Sequence, residues 1–413
     1  MMLFQKGLKT ARTYPRQFWL LFWGLLLSTT GSSMIWPFLM IYASARLKLP
    51  LTDVAALMTI NAASGLVFAF IAGAIVDHFG RKWVMVVSLV GNGLVYLFMS
   101  QATSMGSFAL LMALTGMFNP LYRVGADAML ADLIPMEKRI DAYSLLRMSN
   151  NLGVSLGPAV GGVLASASYE IAFLCAMAGL VGYGVMVLVF ARETIPARLE
   201  GTKPPARELV RGYGRVFKDR PYITFVIAFT LIQISASLIW VLLGVYAKDN
   251  YGILEKQYGL IPTTNAVMVV LFQVYVTMIT KKFSPLFALA AGAFLYASGV
   301  GSVALGRGFW GFWISIVIVT LGELVLVPTS STYAANSAPP DMRGRYLSIY
   351  GLTWTLATGV GPVMGGLLND RIGPQAIWYG GFLIGMVSTA SFLLLNRRYS
   401  HERTALPAGE KEI

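Results

Sequence analysis

The chain has 413 residues, 56% of them hydrophobic and only 12% charged, with a net charge of +13. Soluble domains hold about 25% charged residues, so this composition excludes an ordinary soluble protein and points to a polytopic membrane protein. The single cysteine, Cys175, sits in an apolar run, and the two histidines, His78 and His401, are far apart; no disulfide framework, metal site or cofactor is expected.

In chain order, a basic tail leads into an apolar run after Arg16. That run is long enough to span and is followed by more spans, so no cleavable signal peptide is expected. Twelve spans are predicted, at 18–43, 53–77, 83–102, 106–132, 142–165, 169–191, 221–247, 256–279, 284–305, 309–335, 343–367 and 374–395. With the N-terminus inside, twenty-four Lys and Arg fall on the cytoplasmic side against six on the other, which puts both termini in the cytoplasm of a cell-membrane protein. The basic excess is then a topology signal and a contact with anionic lipid head groups, with no nucleic acid required. The expected organisation is a six-helix bundle at 1–191, a polar linker at 192–220, a second bundle at 221–395 and a tail at 396–413. Within the linker, Glu208–Lys218 reads as a short amphipathic helix or a plain tether, and the tail after Arg398 reads as loose.

The two bundles are copies. Gly153-Val-Ser-Leu-Gly157-Pro158-Ala-Val-Gly161-Gly162 returns 204 residues later as Ala357-Thr-Gly-Val-Gly361-Pro362-Val-Met-Gly365-Gly366. The same offset aligns Ser33, Ile35, Trp36, Leu39, Tyr42 and Ala43 with Ser237, Ile239, Trp240, Leu243, Tyr246 and Ala247. It also aligns Asn61-Ala62 with Asn265-Ala266, Phe68 with Phe272, Pro135 with Pro339 and Arg139 with Arg343. Six spans per half is an even number, so the copies enter from the same side as a parallel repeat split near residue 206. Within the repeated stretch, glycines spaced by four lie on one helix face and let another backbone approach, and Pro158 removes one helical hydrogen bond. Tight packing alone is the plainer reading of that face; a surface on which two bundles rock is the functional one.

The turn after span 2 reads Gly73-Ala-Ile-Val-Asp77-His-Phe-Gly80-Arg81-Lys82. Gly73 permits close helix contact, Gly80 a tight turn, and Asp77 ends the span with an acid that no positive-inside rule demands. This turn resembles the loop 2–3 motif of the major facilitator superfamily, and Gly153–Gly162 resembles that superfamily's fifth-helix antiporter motif at every fixed position. Arg123 resembles its buried fourth-helix arginine. The resemblance covers essentially the whole chain and favours the drug:proton antiporter branch. It implies an all-α fold of twelve transmembrane helices in two pseudo-symmetric six-helix bundles. It also implies that Asp77 and Arg81 join a cytoplasmic charge cluster, with Asp132 at the end of span 4 as its third member. The second copy of the turn has decayed to Thr277-Met-Ile-Thr-Lys281-Lys282-Phe-Ser284, so no symmetric gate is expected there.

Few ionisable residues lie within spans, where each needs a partner or a wet cavity. Arg123 and Asp127 are four apart on span 4 and fall on one side of it, and Arg147 on span 5 is placed to reach Asp127. Arg123 lies about 13 Å above the end of its span. A self-satisfied pair that only helps packing is the alternative reading. Glu323 is the sharpest single residue, about 21 Å along span 10 and without an ionisable neighbour in its own span. A carboxylate held away from bulk water is able to bind and release a proton near neutral pH. A similar Gly-Glu followed by proline occurs in span 10 of some proton-coupled multidrug antiporters. Those relatives often carry another acid early in span 5, where this chain has Leu146-Arg147. Trp36, Tyr42, Trp240 and Tyr246 take matched places on spans 1 and 7, which the resemblance makes cavity-lining helices. Aromatic walls suit greasy, variable, often cationic substrates, whereas interfacial anchoring is the plainer reading for the two tyrosines.

The resulting expectation is a monomeric, proton-coupled exporter of amphipathic small molecules acting by alternating access. Glu323 is its primary proton carrier, Arg123–Asp127 a supporting pair, and Trp36, Trp240 and Arg147 substrate-cavity residues. The rivals are a transporter of one metabolite, such as a sugar, lipid or siderophore, and, from another class, a membrane receptor or enzyme. No nucleophile–base set or phosphate-cradling Gly-x-x-x-x-Gly-Lys-Ser/Thr is present to favour the enzyme or ATP drive.

Overall fold

The structure, a computed structural model, describes residues 14–194, 213–339 and 342–404. Among the described residues it is helical without strands. The long helices are α1 (Arg16–Leu47), α2 (Leu51–Phe79), α3 (Arg81–Gln101), α4 (Met105–Leu133), α5 (Arg139–Ala167) and α6 (Tyr169–Phe190). They continue with α7 (Arg220–Tyr251), α8 (Glu255–Thr280), α9 (Pro285–Ser302), α10 (Gly308–Ser337), α11 (Arg343–Arg371) and α12 (Ala376–Thr404). Among the described residues, nine helices are apolar and long enough to cross a membrane. The other three, α4, α5 and α11, are each 29 residues long; α4 and α5 carry Arg123, Asp127, Arg147 and Asn150.

The helix boundaries repeat at the sequence offset. α1 and α7 open at Arg16 and Arg220, α2 and α8 at Leu51 and Glu255, and α5 and α11 at Arg139 and Arg343. α4 and α10 close at Leu133 and Ser337. Packing repeats too: α3 lies against α4 and α6, and α9 against α10 and α12. Tyr42 packs edge-on to Phe173 and tilted on Phe108, while Tyr246 packs edge-on to Phe312 and Trp378. Both tyrosines are buried, at 8% and 2% exposure. The interfacial reading of these tyrosines is thereby corrected: α1 and α7 run on past them, and each ring is roofed by neighbouring aromatics.

The described residues fall into two compact units. Of the described residues, one comprises 14–49, 53–194 and Lys248–Ala266; the other comprises Pro50–Thr52, 213–247, 267–339 and 342–404. Each takes in a short piece of the other half's sequence, because the start of α8 packs on α5 and the start of α2 packs on α11. Of the expected linker helix, Tyr213–Lys218 is helical; residues 208–212 and the split near 206 lie outside the described residues. The tail departs from expectation, since α12 continues to Thr404. Residues 405–413 lie outside the described residues. Cys175 is exposed on α6, next to exposed Leu174, and is not a core cysteine.

Candidate functional site

The turn between α2 and α3 is a single residue, Gly80, with φ +100°. Side chains pay steric energy in that region of φ, and here a Cβ would also strike the Glu193 carboxylate. Glu193 follows α6 and caps α3: its two carboxylate oxygens accept the backbone N–H groups of Arg81 and Lys82, each at 3.0 Å. Arg81 Nε stands 3.1 Å from Asp132 Oδ2, and its Nη2 is 3.9 Å from Asp77 Oδ1. The guanidinium is mostly covered, at 12% exposure, whereas Asp77 is 56% exposed. Thr194 donates to the same Asp132 oxygen at 2.9 Å. The structure thus brings Asp77, Arg81 and Asp132 together and adds Glu193, which the sequence did not flag. Lys82 leans over Trp83, 5.7 Å from its ring. Gly73 departs from expectation: a Cβ there would meet nothing within 4 Å, because this face of α2 is open.

The small-residue faces of α5 and α11 are packed seams. A Cβ on Gly153 would meet the Thr30 nitrogen at 3.0 Å, and one on Gly157 the Thr30 oxygen at 2.9 Å. Gly161 rests on the Met34 backbone, and Gly162 on the Glu255 carbonyl at 2.6 Å. The copy follows the register: Gly361 on Ile234 and Ser237, Gly365 on Leu238 and Leu242, Gly366 on Leu51 and Thr52. Pro158 and Pro362 lie buried inside helices that continue through them.

Within the first unit a cavity of about 290 Å³ is lined by residues that include Leu21, Tyr122, Arg123, Asp127, Arg147 and Asn150. Three charged side chains predicted from sequence therefore share one cavity, but among the described ion pairs none joins Asp127 to either arginine. The Arg123 charge still acts on Asp127 across that cavity. Tyr143 also lines it, and its hydroxyl points at the Asp127 backbone carbonyl, 3.5 Å away. Thr29 donates to Asn150 Oδ1 at 3.3 Å.

Glu323 lies midway along α10 and is half-buried. Its charge acts on Tyr296 of α9, a tyrosine 3% exposed whose backbone nitrogen lies 2.6 Å from where a Gly322 Cβ would be. Trp240 Nε1 of α7 donates to Tyr296 Oη at 2.8 Å. Trp240, Tyr296 and Glu323 therefore form a polar line across α7, α9 and α10. Trp36, the counterpart of Trp240, stands exposed in the 3₁₀ turn Trp36–Phe38 that breaks α1 at Pro37. Sequence reasoning missed Tyr296; the repeat offset was the signal, since it maps Asn92 and Asn119 onto Tyr296 and Glu323, and the two asparagines are hydrogen-bonded at 3.0 Å.

The geometry of a duplicated helical bundle with ionisable groups inside its spans agrees with the comparisons. The sequence model of the Major Facilitator Superfamily matches residues 21–235 and 225–412. A Na(+), Li(+), K(+)/H(+) antiporter of Planococcus maritimus is 26% identical over 386 residues, covering 86% of this chain and 88% of that one. The multidrug resistance protein MdtH of Citrobacter koseri is 25% identical over 337 residues, covering 80% of this chain and 81% of its own length. Among solved structures, a POT family transporter in complex with 5-aminolevulinic acid superposes with a TM-score of 0.79 over 93% of this chain and 96% of its own, at 16% identity. The chain belongs to the major facilitator superfamily and is a membrane transporter, not an enzyme.

Proposed function

We propose that the chain is a proton-coupled exporter of amphipathic small molecules, working as a monomer by alternating access with both termini in the cytoplasm. The observation that carries this reading is Glu323, a half-buried carboxylate in mid-span whose charge acts on Tyr296, the tyrosine whose hydroxyl already accepts a hydrogen bond from Trp240. With its acceptor side engaged, the phenol is left to donate, and a carboxylate that gains or loses a proton changes that donor's partner. Arg123, Asp127 and Arg147 serve in this reading as a second charged station, and Asp77, Arg81, Lys82 and Asp132 as a gate. The seams at Gly153, Gly157, Pro158, Gly161 and Gly162 hold α5 rigid on α1 while the gate works. Trp36 and Trp240 contribute aromatic wall. The cavity beside Arg123 holds two guanidiniums and one carboxylate, which favours substrates with a neutral or acidic polar end over the cationic ones that aromatic walls alone suggest.

A second reading, exchange of a monovalent cation for protons, draws on the printed name of the Planococcus relative. The excess positive charge in the Arg123 cavity opposes a bare cation there. The deciding assay uses purified protein in liposomes with an imposed pH gradient. The panel is amphipathic dyes, sugars, lipids and Na⁺ or K⁺. Gradient-driven movement of dyes supports export of amphipathic molecules; movement of Na⁺ or K⁺ alone replaces it with cation exchange, and of one sugar or lipid alone with a metabolite carrier.

A further inference from the structure

A cavity of about 500 Å³ lies in the second unit where the short helix Tyr213–Lys218 meets the start of α7 and the end of α12. Lys218, Arg220 and Arg398 line it, together with the hydroxyl residues Thr224 and Ser391 and the apolar Leu394. Asp219 lines it too, and its carboxylate accepts two hydrogen bonds. Oδ1 accepts the Tyr222 N–H at 3.1 Å and Oδ2 the Tyr346 hydroxyl at 2.7 Å. Tyr346 in turn lies on Tyr222, with ring centroids 4.3 Å apart, so the Asp219 carboxylate is held by the tyrosines, and among the described ion pairs none joins it to a cation of the cavity. Among the described residues none of the three cations has an ion-pair or side-chain hydrogen-bond partner. Three cations against one carboxylate in the lining of a single cavity leave an excess of positive charge that fits a phosphate group.

The surroundings say what carries that phosphate. Leu394 lines the cavity and is 64% exposed, and Phe217, beside Lys218, is 63% exposed. Large apolar side chains flanking cations at the end of two membrane helices suit acyl chains next to a headgroup. We propose that this cavity binds the headgroup of an anionic phospholipid in the leaflet at the linker end of the helices. Such a lipid pins the helix Tyr213–Lys218, and with it the connection between the halves, to both the membrane surface and α12. Topology alone requires basic residues near this end; it does not require that three of them line one cavity while the acid among them is bonded to tyrosines.

The test is native mass spectrometry of delipidated, detergent-solubilised full-length protein titrated with phosphatidylglycerol or phosphatidylcholine. The triple variant K218Q/R220Q/R398Q is expected to bind phosphatidylglycerol about tenfold or more weakly, given the contribution of each basic residue to anionic-lipid attraction. K281Q/K282Q, which removes two charges from another loop, and the charge-retaining K218R/R220K/R398K are expected to bind as the unaltered protein does. Phosphatidylglycerol binding by the neutral triple variant equal to that of the unaltered protein overturns the proposal. A loss in the charge-retaining variant as large as in the neutral one also overturns it, because the effect would then be damage to the fold. Displacement of phosphatidylglycerol by millimolar inorganic phosphate would make the free ion the occupant and overturn the lipid.

Discussion

The third and fourth helices of each half meet at register-matched positions, and the two meetings differ in chemistry. In the first half buried Asn92 donates to Asn119 at 3.0 Å, an amide pair that cannot titrate. In the second half the same two places hold Tyr296 and Glu323, with Trp240 bonded to the phenol. An amide pair suffices to hold the helices, so packing does not explain an acid at the second site; a membrane carboxylate costs more than an asparagine and needs another reason to be there. The ends of the same helices repeat the lesson with the halves exchanged. Ser284 caps α9 by accepting the Phe287 N–H at 3.3 Å, and donates to Asn396 of α12 at 2.8 Å. In the first half the cap is Glu193, set in a cluster with Arg81, Asp132 and Asp77. Capping the helix is common to both halves; the charges are confined to one. At these two places each half thus carries an ionic device that its twin replaces with a neutral structural equivalent.

That comparison breaks first where the halves are alike. Gly162→Leu and Gly366→Leu both force a side chain against a neighbouring backbone, that of Glu255 and of Thr52. Each is expected to cost about 3 kcal/mol, the upper part of the overpacking range, and to reduce the yield of folded protein sharply, as read by thermal melting of purified material. Gly73→Leu, on an open face, should melt like the parent. A tolerant seam in one half alone would show that the repeat is not structural.

Next come the charges present in one half only. Asp132→Asn and Asp77→Asn should lower transport by about tenfold or more with normal expression, since a single missing charge leaves Arg81 mostly covered and short of a partner. Asp132→Asn should be the more severe, as its oxygen is nearer the guanidinium. Wild-type transport in both variants would reduce the cluster to a topology signal.

The caps sharpen the contrast with a smaller effect. Glu193→Ala and Ser284→Ala should each cost about 1 kcal/mol of stability, the usual value of a helix N-cap. Only Glu193→Ala should also slow transport, because only that cap belongs to the ionic cluster. Equal transport loss in both would mean that capping alone explains the effect.

The smallest effect lies at the aqueous end of α11. Burial pushes the Asp370 carboxyl up, but hydrogen bonds from the Thr52 hydroxyl and amide, at 2.7 and 2.9 Å, and from the Asn369 amide and Leu51 N–H outweigh it and hold the group below its ordinary range. A depressed carboxylate adds stability above its unfolded-state value and loses it as pH falls through the folded one. The α2–α11 contact should therefore weaken only in acid, below about pH 4. Asp370→Asn should flatten that part of the melting-temperature profile and leave neutral pH little changed; an unchanged acid limb would remove Asp370 from the account.

What could be read from the sequence depended on range. The repeat was legible because both copies keep identical residues at one offset, and Asp77, Arg81 and Asp132 because a compact motif and a span end mark them. Glu193 was not, since it is 112 and 111 residues from the two N–H groups it caps and no local period announces the contact. Thr52 and Asp370 are 318 residues apart and equally silent. Tyr42 and Tyr246 were misplaced because position near a span end suggests an interface, while burial depends on the aromatics that neighbouring helices bring. Tyr296 was recoverable, since the offset that reveals the repeat also lays Asn92 on it.

The central claim is that Glu323 is the site of proton exchange and the matched amide pair is not. Substrate-induced proton release from purified protein, followed between about pH 6 and 9, tests it directly. Release is expected in the parent and in Asp127→Asn, and its loss in Glu323→Gln, which keeps shape and removes titration. Unchanged release in Glu323→Gln with loss in Asp127→Asn would move proton exchange to the cavity of α4 and α5 and contradict the account.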